Sequence, residues 1–137
     1  MNRERANFRM IESELYCYQE SKKDLELMRE EILEGSSFQE VAVQAGLGNV
    51  TENKAIKLVS SVSIRETERR INAIEKAIDI LKNSNEPRKL RLLEMKYFER
   101  RYTDTAIAEE LYIDRSTFYR WRREIIELIA NFLGCRV

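Results

Sequence analysis

Histidine is absent from this 137-residue sequence, and cysteine, proline and glycine are scarce. The two cysteines, Cys17 and Cys135, lie near opposite ends and cannot supply the four ligands of a zinc site. The lack of histidine also removes every catalytic triad that depends on it. We therefore expect a protein that is not an enzyme, with no catalytic residue, no metal and no cofactor.

One proline and four glycines, with 35% charged and 43% hydrophobic residues, favour helices over sheets. No run of 18 apolar residues is present, so we expect no membrane span. The residues after Met1, Asn-Arg-Glu-Arg, lack the apolar stretch of a signal peptide. These features predict an all-α protein of the cytoplasm.

The net charge is zero, but the charges are unevenly distributed. From Pro87 onward there are eleven Lys or Arg and eight Asp or Glu, which gives +3, and the preceding part carries −3. The sign of this asymmetry is right for a nucleic-acid site in the C-terminal part.

Two long helices are predicted in the N-terminal part. Apolar residues at steps of three, four or seven predict a helix over residues 3–34, ended by Gly35-Ser36-Ser37. The connector Phe38–Val50 shows no regular pattern, and Thr51 then caps a second helix that ends near Lys82. The two apolar stripes can cover each other as a hairpin within one chain, or they can form a homodimer by coiling with a second subunit. Both interpretations stay open.

A turn-rich hinge over residues 83–87 separates the two predicted domains. Residues 1–85 form an N-terminal long-helix hairpin for oligomerisation or partner binding, and residues 86–137 form a C-terminal helix-turn-helix domain. The first helix of the C-terminal domain is expected to run from Pro87, a favourable first helical residue, to about Glu99. A strong apolar stripe near the C-terminus is expected to pack against this helix.

The last two helices carry the helix-turn-helix pattern. Thr103 and Asp114 are the expected N-caps. The motif requires a small residue where the two helices cross and an apolar residue five positions later, in the turn. It also requires two apolar residues, three positions apart, that anchor the second helix in the core. This spacing is met by Ala108, Ile113, Phe118 and Trp121. Because Tyr112 occupies the turn position often held by glycine, we expect a slightly different turn.

The faces not used for packing then point toward the major groove and its phosphates. The outward set on the recognition helix is Arg115, Ser116, Thr117, Tyr119, Arg120 and Arg123. Arginine can reach guanine O6 and N7 with two hydrogen bonds, so base contacts are assigned to Arg115, Ser116, Tyr119 and Arg120. Phosphate contacts or electrostatic steering are assigned to Arg122, Arg123, Arg100 and Arg101.

The order of these elements resembles the RinA/ArpU family of phage late-gene transcriptional activators, whose C-terminal half is similar to region four of bacterial sigma factors. The resemblance is carried by residues 90–98, 103–111 and 113–123, and it extends upstream to residues 49–56 and 68–75. It implies an activator in a bacterial host cell that binds promoter DNA of phage or prophage packaging genes, with bacterial RNA polymerase as a second candidate partner.

The predicted function is therefore sequence-specific binding of double-stranded DNA to activate transcription. One alternative is a DNA-packaging protein resembling a small terminase subunit, which also joins a helix-turn-helix to an oligomerising segment. Another is a sigma-like factor that depends on RNA polymerase, although no counterpart of sigma region two is evident.

Overall fold

The computed structural model of the chain describes the backbone of residues 2–44 and 50–137 and the side chains of residues 2–31 and 62–137. Within these ranges the chain forms six α-helices and one π-helical segment, with no β-strand. They are α1 (Asn2–Tyr16), α2 (Tyr18–Gln44), α3 (Val50–Lys82), α4 (Pro87–Leu93), the π-helix Glu94–Glu99, α5 (Asp104–Glu110) and α6 (Arg115–Leu133). The predicted all-α fold is confirmed. None of the described helices is both long and apolar enough to cross a membrane.

The N-terminal helices differ from the prediction in two ways. The single helix expected over residues 3–34 is divided at Cys17, although the Cys17 N–H still donates to the Ser13 carbonyl at 3.0 Å. The predicted end at Gly35-Ser36-Ser37 is wrong, because α2 continues to Gln44. A glycine inside a helix costs only about 1 kcal/mol, which favourable neighbouring turns can offset. The rest of the predicted connector, residues 45–49, lies outside the described residues.

The predicted end of the second helix and the hinge after it are confirmed. Helix α3 ends at Lys82, and the Ser84 hydroxyl donates to the Leu81 carbonyl at 2.8 Å. Helix α4 then begins at Pro87, with the Glu86 carboxylate accepting a hydrogen bond from the Arg88 N–H. Helix α3 begins at Val50, so Thr51 lies in its first turn and not at the predicted N-cap position.

The chain forms two compact units whose boundaries differ from the predicted domains 1–85 and 86–137. One unit contains residues 1–19 together with residues 70–137, and the other contains residues 20–69. The reason is burial: Ile11 and Leu15 of α1 and Ile74 and Ala77 of α3 lie in the same apolar core as the C-terminal helices. Apolar residues of the supposed hairpin therefore complete the unit that contains the helix-turn-helix.

The core of this discontinuous unit lies beneath α6. Helix α6 packs against α1, α4 and α5, which confirms the expected contact with the helix that begins at Pro87 and adds an unpredicted one with α1. The largest fully buried side chains of this core are Ile11, Leu15, Ile74, Leu92, Leu93, Met95, Tyr97, Ile107, Phe118, Ile125, Ile126 and Ile129. Burial of this much apolar surface is the main force that holds α6 in place.

The unit formed by residues 20–69 is a helical pair. An ion pair joins Arg29 of α2 to Glu68 of α3, and a second joins Arg69 to Glu66 within α3 at 3.0 Å. The first of these pairs joins the two helices and fits the hairpin within one chain. The homodimer remains a prediction.

Candidate nucleic-acid interface

Helices α5 and α6 begin at the predicted caps. The Thr103 hydroxyl accepts a hydrogen bond from the Ala106 N–H at 3.1 Å. The Asp114 carboxylate accepts one from the Thr117 N–H at 2.7 Å and one from the Ser116 hydroxyl at 3.1 Å. Hydrogen bonds from Thr117, and then from Ser116, lower the pKa of Asp114. Asp114 is thus occupied in holding the first turn of α6, as the prediction required.

The turn between the two helices has the form that glycine usually provides. Tyr112 has a φ of 57°, its N–H donates to the Glu109 carbonyl at 3.2 Å, and the Ile113 N–H donates to the Ala108 carbonyl at 3.0 Å. This pair of bonds is the Schellman motif, with Tyr112 as its left-handed residue. The expectation of a different turn is therefore wrong. Tyr112 adopts the strained conformation itself, with its side chain 91% exposed.

The inward anchors of the motif lie where the spacing placed them. Ala108, Phe118 and Trp121 are buried, and Ile113 is half-buried at the turn. The Arg88 guanidinium lies 5.2 Å from the ring of Trp121 and donates to the Leu111 carbonyl at 3.1 Å. Trp121 is therefore a core residue that also carries a cation–π contact, and it is not available for stacking on bases.

The exposed face of α6 brings together most of the predicted DNA-facing side chains. Arg115, Ser116, Tyr119, Arg120 and Arg123 are exposed, and Thr117 is half-buried. Their spacing of three or four residues places them on one side of the helix. The Arg115 guanidinium lies 5.9 Å from the Tyr119 ring, and a hydrogen bond with Tyr119 raises the pKa of Arg115.

Arg120 stands out on this face. Within the described part of the chain, no hydrogen bond or salt bridge holds its side chain. Arg123, by contrast, pairs with Glu127 one turn further along at 2.9 Å, with both side chains about half exposed. The face therefore presents several donors that can turn toward a ligand without breaking the fold.

Arg122 lies apart from this face. Its Nε and Nη2 donate to the two carboxylate oxygens of Glu12 at 3.0 and 2.8 Å. The Tyr97 hydroxyl donates to the same carboxylate at 2.6 Å. Arg122, predicted to contact phosphate, is instead half-buried and neutralised by a residue of α1.

Arg100 and Arg101 are exposed in the connector before α5. Arg100 has a φ of 58° at the end of the π-helix, and its guanidinium lies 5.0 Å from the ring of Tyr16 in α1. Arg101 lies 5.8 Å from the ring of its neighbour Tyr102. The structure thus places Arg100 against α1 as well as near the start of the motif.

A second group of basic residues, which the sequence analysis did not identify, lies on α1. An open groove of about 630 Å³ is lined by Arg5 and Arg9 of α1 and by Arg122 and Arg123 of α6. The i, i+4 spacing of Arg5 and Arg9 indicates a shared helix face. Nothing in the sequence, however, indicates that α1 packs beside α6.

The fold and this geometry define a class: an all-α unit in which a capped helix follows a helix-turn-helix turn and exposes a basic, hydroxyl-rich face. The chain belongs to the family DUF1492, described as proteins of unknown function, whose model matches residues 32–130. The match takes in α5 and most of α6 and leaves out α1. No curated protein matches the chain. No solved structure matches it either.

Proposed function

We propose that this chain is a sequence-specific, double-stranded-DNA-binding transcription activator that acts without catalysis. One observation carries the proposal. The first two turns of α6 expose Arg115, Ser116, Tyr119 and Arg120 on one face, while Phe118 on the opposite face anchors the helix in the core. A helix presented in this way after a helix-turn-helix turn fits the major groove.

The side chains on this face suit base and phosphate contacts. Arg120, which is free of hydrogen bonds and salt bridges in the described part of the chain, is the best placed to reach the O6 and N7 atoms of guanine with two hydrogen bonds. Ser116 and Tyr119 offer hydroxyls at the same surface. Arg123 is placed for a phosphate, since its exposed pair with Glu127 is weak.

The resemblance to the RinA/ArpU activators suggests the target. On this proposal the chain binds a promoter upstream of phage or prophage packaging genes and raises transcription by bacterial RNA polymerase. The proposed role of residues 20–69 is to contact a partner, either polymerase or a second copy of the chain.

The test starts from DNA that the protein itself selects. The full chain would enrich a site from a random duplex library without polymerase present. Arg120→Ala should then weaken binding to that site by about 1–3 kcal/mol, or roughly 5- to 150-fold, as loss of a bidentate base contact does. Arg65→Ala, which removes one charge from an exposed position of α3, is the matched control and should bind as wild type does.

Four outcomes would contradict parts of the proposal. Failure of the wild-type chain to enrich any site, with or without polymerase, would overturn sequence-specific binding. Unchanged binding by Arg120→Ala, with helicity preserved by circular dichroism, would remove the recognition face proposed for α6. Specific binding that gives no increase in transcription in vitro by bacterial RNA polymerase would exclude activation. Binding to DNA only in the presence of polymerase would favour a sigma-like factor.

A further inference from the structure

We propose that the groove between α1 and α6 binds the phosphate backbone of DNA, so that α1 forms part of the interface. This inference rests on the proposed function, because it adds contacts to the DNA that α6 recognises. It concerns Arg5 and Arg9, which belong to the N-terminal helix and lie outside both the helix-turn-helix and the matched family segment.

The position of α1 is set by contacts with the C-terminal part of the unit. Glu12 accepts two hydrogen bonds from Arg122, and the Phe8 ring lies 5.0 Å from the Arg122 guanidinium. The Asn7 side-chain amide donates to the Arg136 carbonyl at 2.8 Å. Arg5 and Arg9 are thereby carried on a helix that is fixed beside α6.

The charges of the groove favour an anion. Arg122 is neutralised by Glu12, but Arg5 and Arg9 have no hydrogen bond or salt bridge with any described residue. Arg123 is held by Glu127 and donates to the Val137 carbonyl at 3.3 Å, and exposed contacts of this kind exchange readily. Glu4 also lines the groove, so an excess of positive charge remains.

The groove is continuous with the recognition face through Arg123. This residue lines the groove and also lies on the side of α6 that exposes Tyr119 and Arg120. Arg5 and Arg9 are about 6 Å apart along the axis of α1, at a rise of about 1.5 Å per residue. Two cations at the side of a helix that reads bases suit the flanking sugar-phosphate strand, which positions a protein and carries no sequence information.

The test measures how salt weakens binding. Each neutralised phosphate contributes about −0.9 to the slope of log affinity against log salt. The double variant Arg5→Gln, Arg9→Gln should therefore have a slope shallower by about 1.8 on the selected duplex between about 50 and 200 mM salt. With equal binding of the two proteins at 1 M salt, this difference in slope makes the affinity of the variant about 60-fold lower than wild type at 0.1 M salt. The ratio of affinities for the selected and a scrambled duplex should not change.

A matched control and a rescue separate phosphate contacts from other effects. Lys76→Gln with Lys82→Gln removes the same charge from exposed positions of α3, outside residues 20–69, and should keep the wild-type slope. Arg5→Lys with Arg9→Lys keeps both charges and should restore most of the wild-type dependence of affinity on salt. Since Arg5 and Arg9 are exposed, the glutamine variant should unfold at the wild-type temperature.

The outcomes distinguish this inference from the proposed function. A wild-type slope in the glutamine variant, with specific binding intact in the wild-type chain, would overturn the α1 contact alone. A change in the specificity ratio would also overturn it, because the arginines would then be reading bases. A wild-type chain that binds selected and scrambled duplexes equally would overturn the proposed function itself.

Discussion

Glu12→Gln should loosen the attachment of α1 to the recognition helix. The carboxylate accepts three hydrogen bonds, two from the Arg122 guanidinium and one from the Tyr97 hydroxyl. Glutamine has nearly the same shape but no charge, so it leaves Arg122 half-buried without a counterion. The substitution therefore tests the charge of this contact with little change in packing.

The expected cost follows from the exposure of the pair. Breaking a fully buried ion pair costs about 3–5 kcal/mol, whereas an exposed pair contributes about 0–1 kcal/mol. The Glu12 side chain is 16% exposed and that of Arg122 28%, so the pair lies between these two cases. We expect Glu12→Gln to lower the free energy of unfolding by about 2 kcal/mol. Tyr97→Phe, which removes one hydrogen bond, should cost about 1 kcal/mol.

Urea unfolding at neutral pH measures these differences. Glu127→Gln is the matched control, because it breaks an exposed pair of α6 with Arg123 and should cost no more than about 0.5 kcal/mol. A cycle with Arg122→Gln isolates the coupling between Glu12 and Arg122. A cost for Glu12→Gln no larger than that for Glu127→Gln would refute the view that this contact fixes α1.

Acid unfolding provides a second readout of the same contact. Burial raises the pKa of Glu12, but hydrogen bonds from Arg122 and Tyr97 and the charges of Arg122 and Lys96 bring that pKa below its ordinary value of 4.5. A carboxyl group with a lowered folded-state pKa stabilises the fold above its unfolded-state value, and this contribution is lost as pH falls through the folded-state value. Below about pH 4.5 the wild-type chain should therefore lose stability more steeply than Glu12→Gln.

Two further predictions concern the turn and the assembly. Tyr112→Gly should raise the free energy of unfolding by about 0.5–1 kcal/mol, because relief of about 1–2 kcal/mol of left-handed strain exceeds the entropy that glycine adds to the unfolded chain. Urea unfolding checks this, and an equal gain from Tyr112→Ala would contradict the reasoning, since alanine keeps the strain. Light scattering should find a monomer or a dimer, as expected for the activator. A twofold dimer would match paired half-sites on DNA. A ring of many subunits would instead favour the DNA-packaging protein.

Local signals predicted most of the helix-turn-helix. The caps at Thr103 and Asp114, the start at Pro87 and the burial of Phe118 and Trp121 each depend on a few neighbouring residues, and all are confirmed. The conformation of Tyr112 was missed because sequence preference opposes it, whereas the hydrogen bonds of the Schellman motif and the packing of Ile113 favour it.

Contacts between distant parts of the chain could not be predicted in this way. Arg122 meets Glu12 across 110 positions of sequence, and no pattern around Arg122 distinguishes it from the exposed Arg123. The same long-range packing places Arg5 and Arg9 in the groove and moves the unit boundaries away from residue 85. The end of α2 was missed for a different reason, since the glycine and serines at positions 35–37 weaken a helix without ending it.

The discontinuity of the unit that contains α6 has a consequence for how the chain tolerates change. Residues 20–69 lie in the sequence between two segments, 1–19 and 70–137, that fold together as one unit. They are therefore a fifty-residue insertion into that unit. The entropy of closing a flexible loop grows slowly, by only about 0.6 kcal/mol for each doubling of its length. If a flexible linker replaces residues 20–69, doubling the length of that linker should therefore change the stability of the remaining core far less than a single exchange at Glu12.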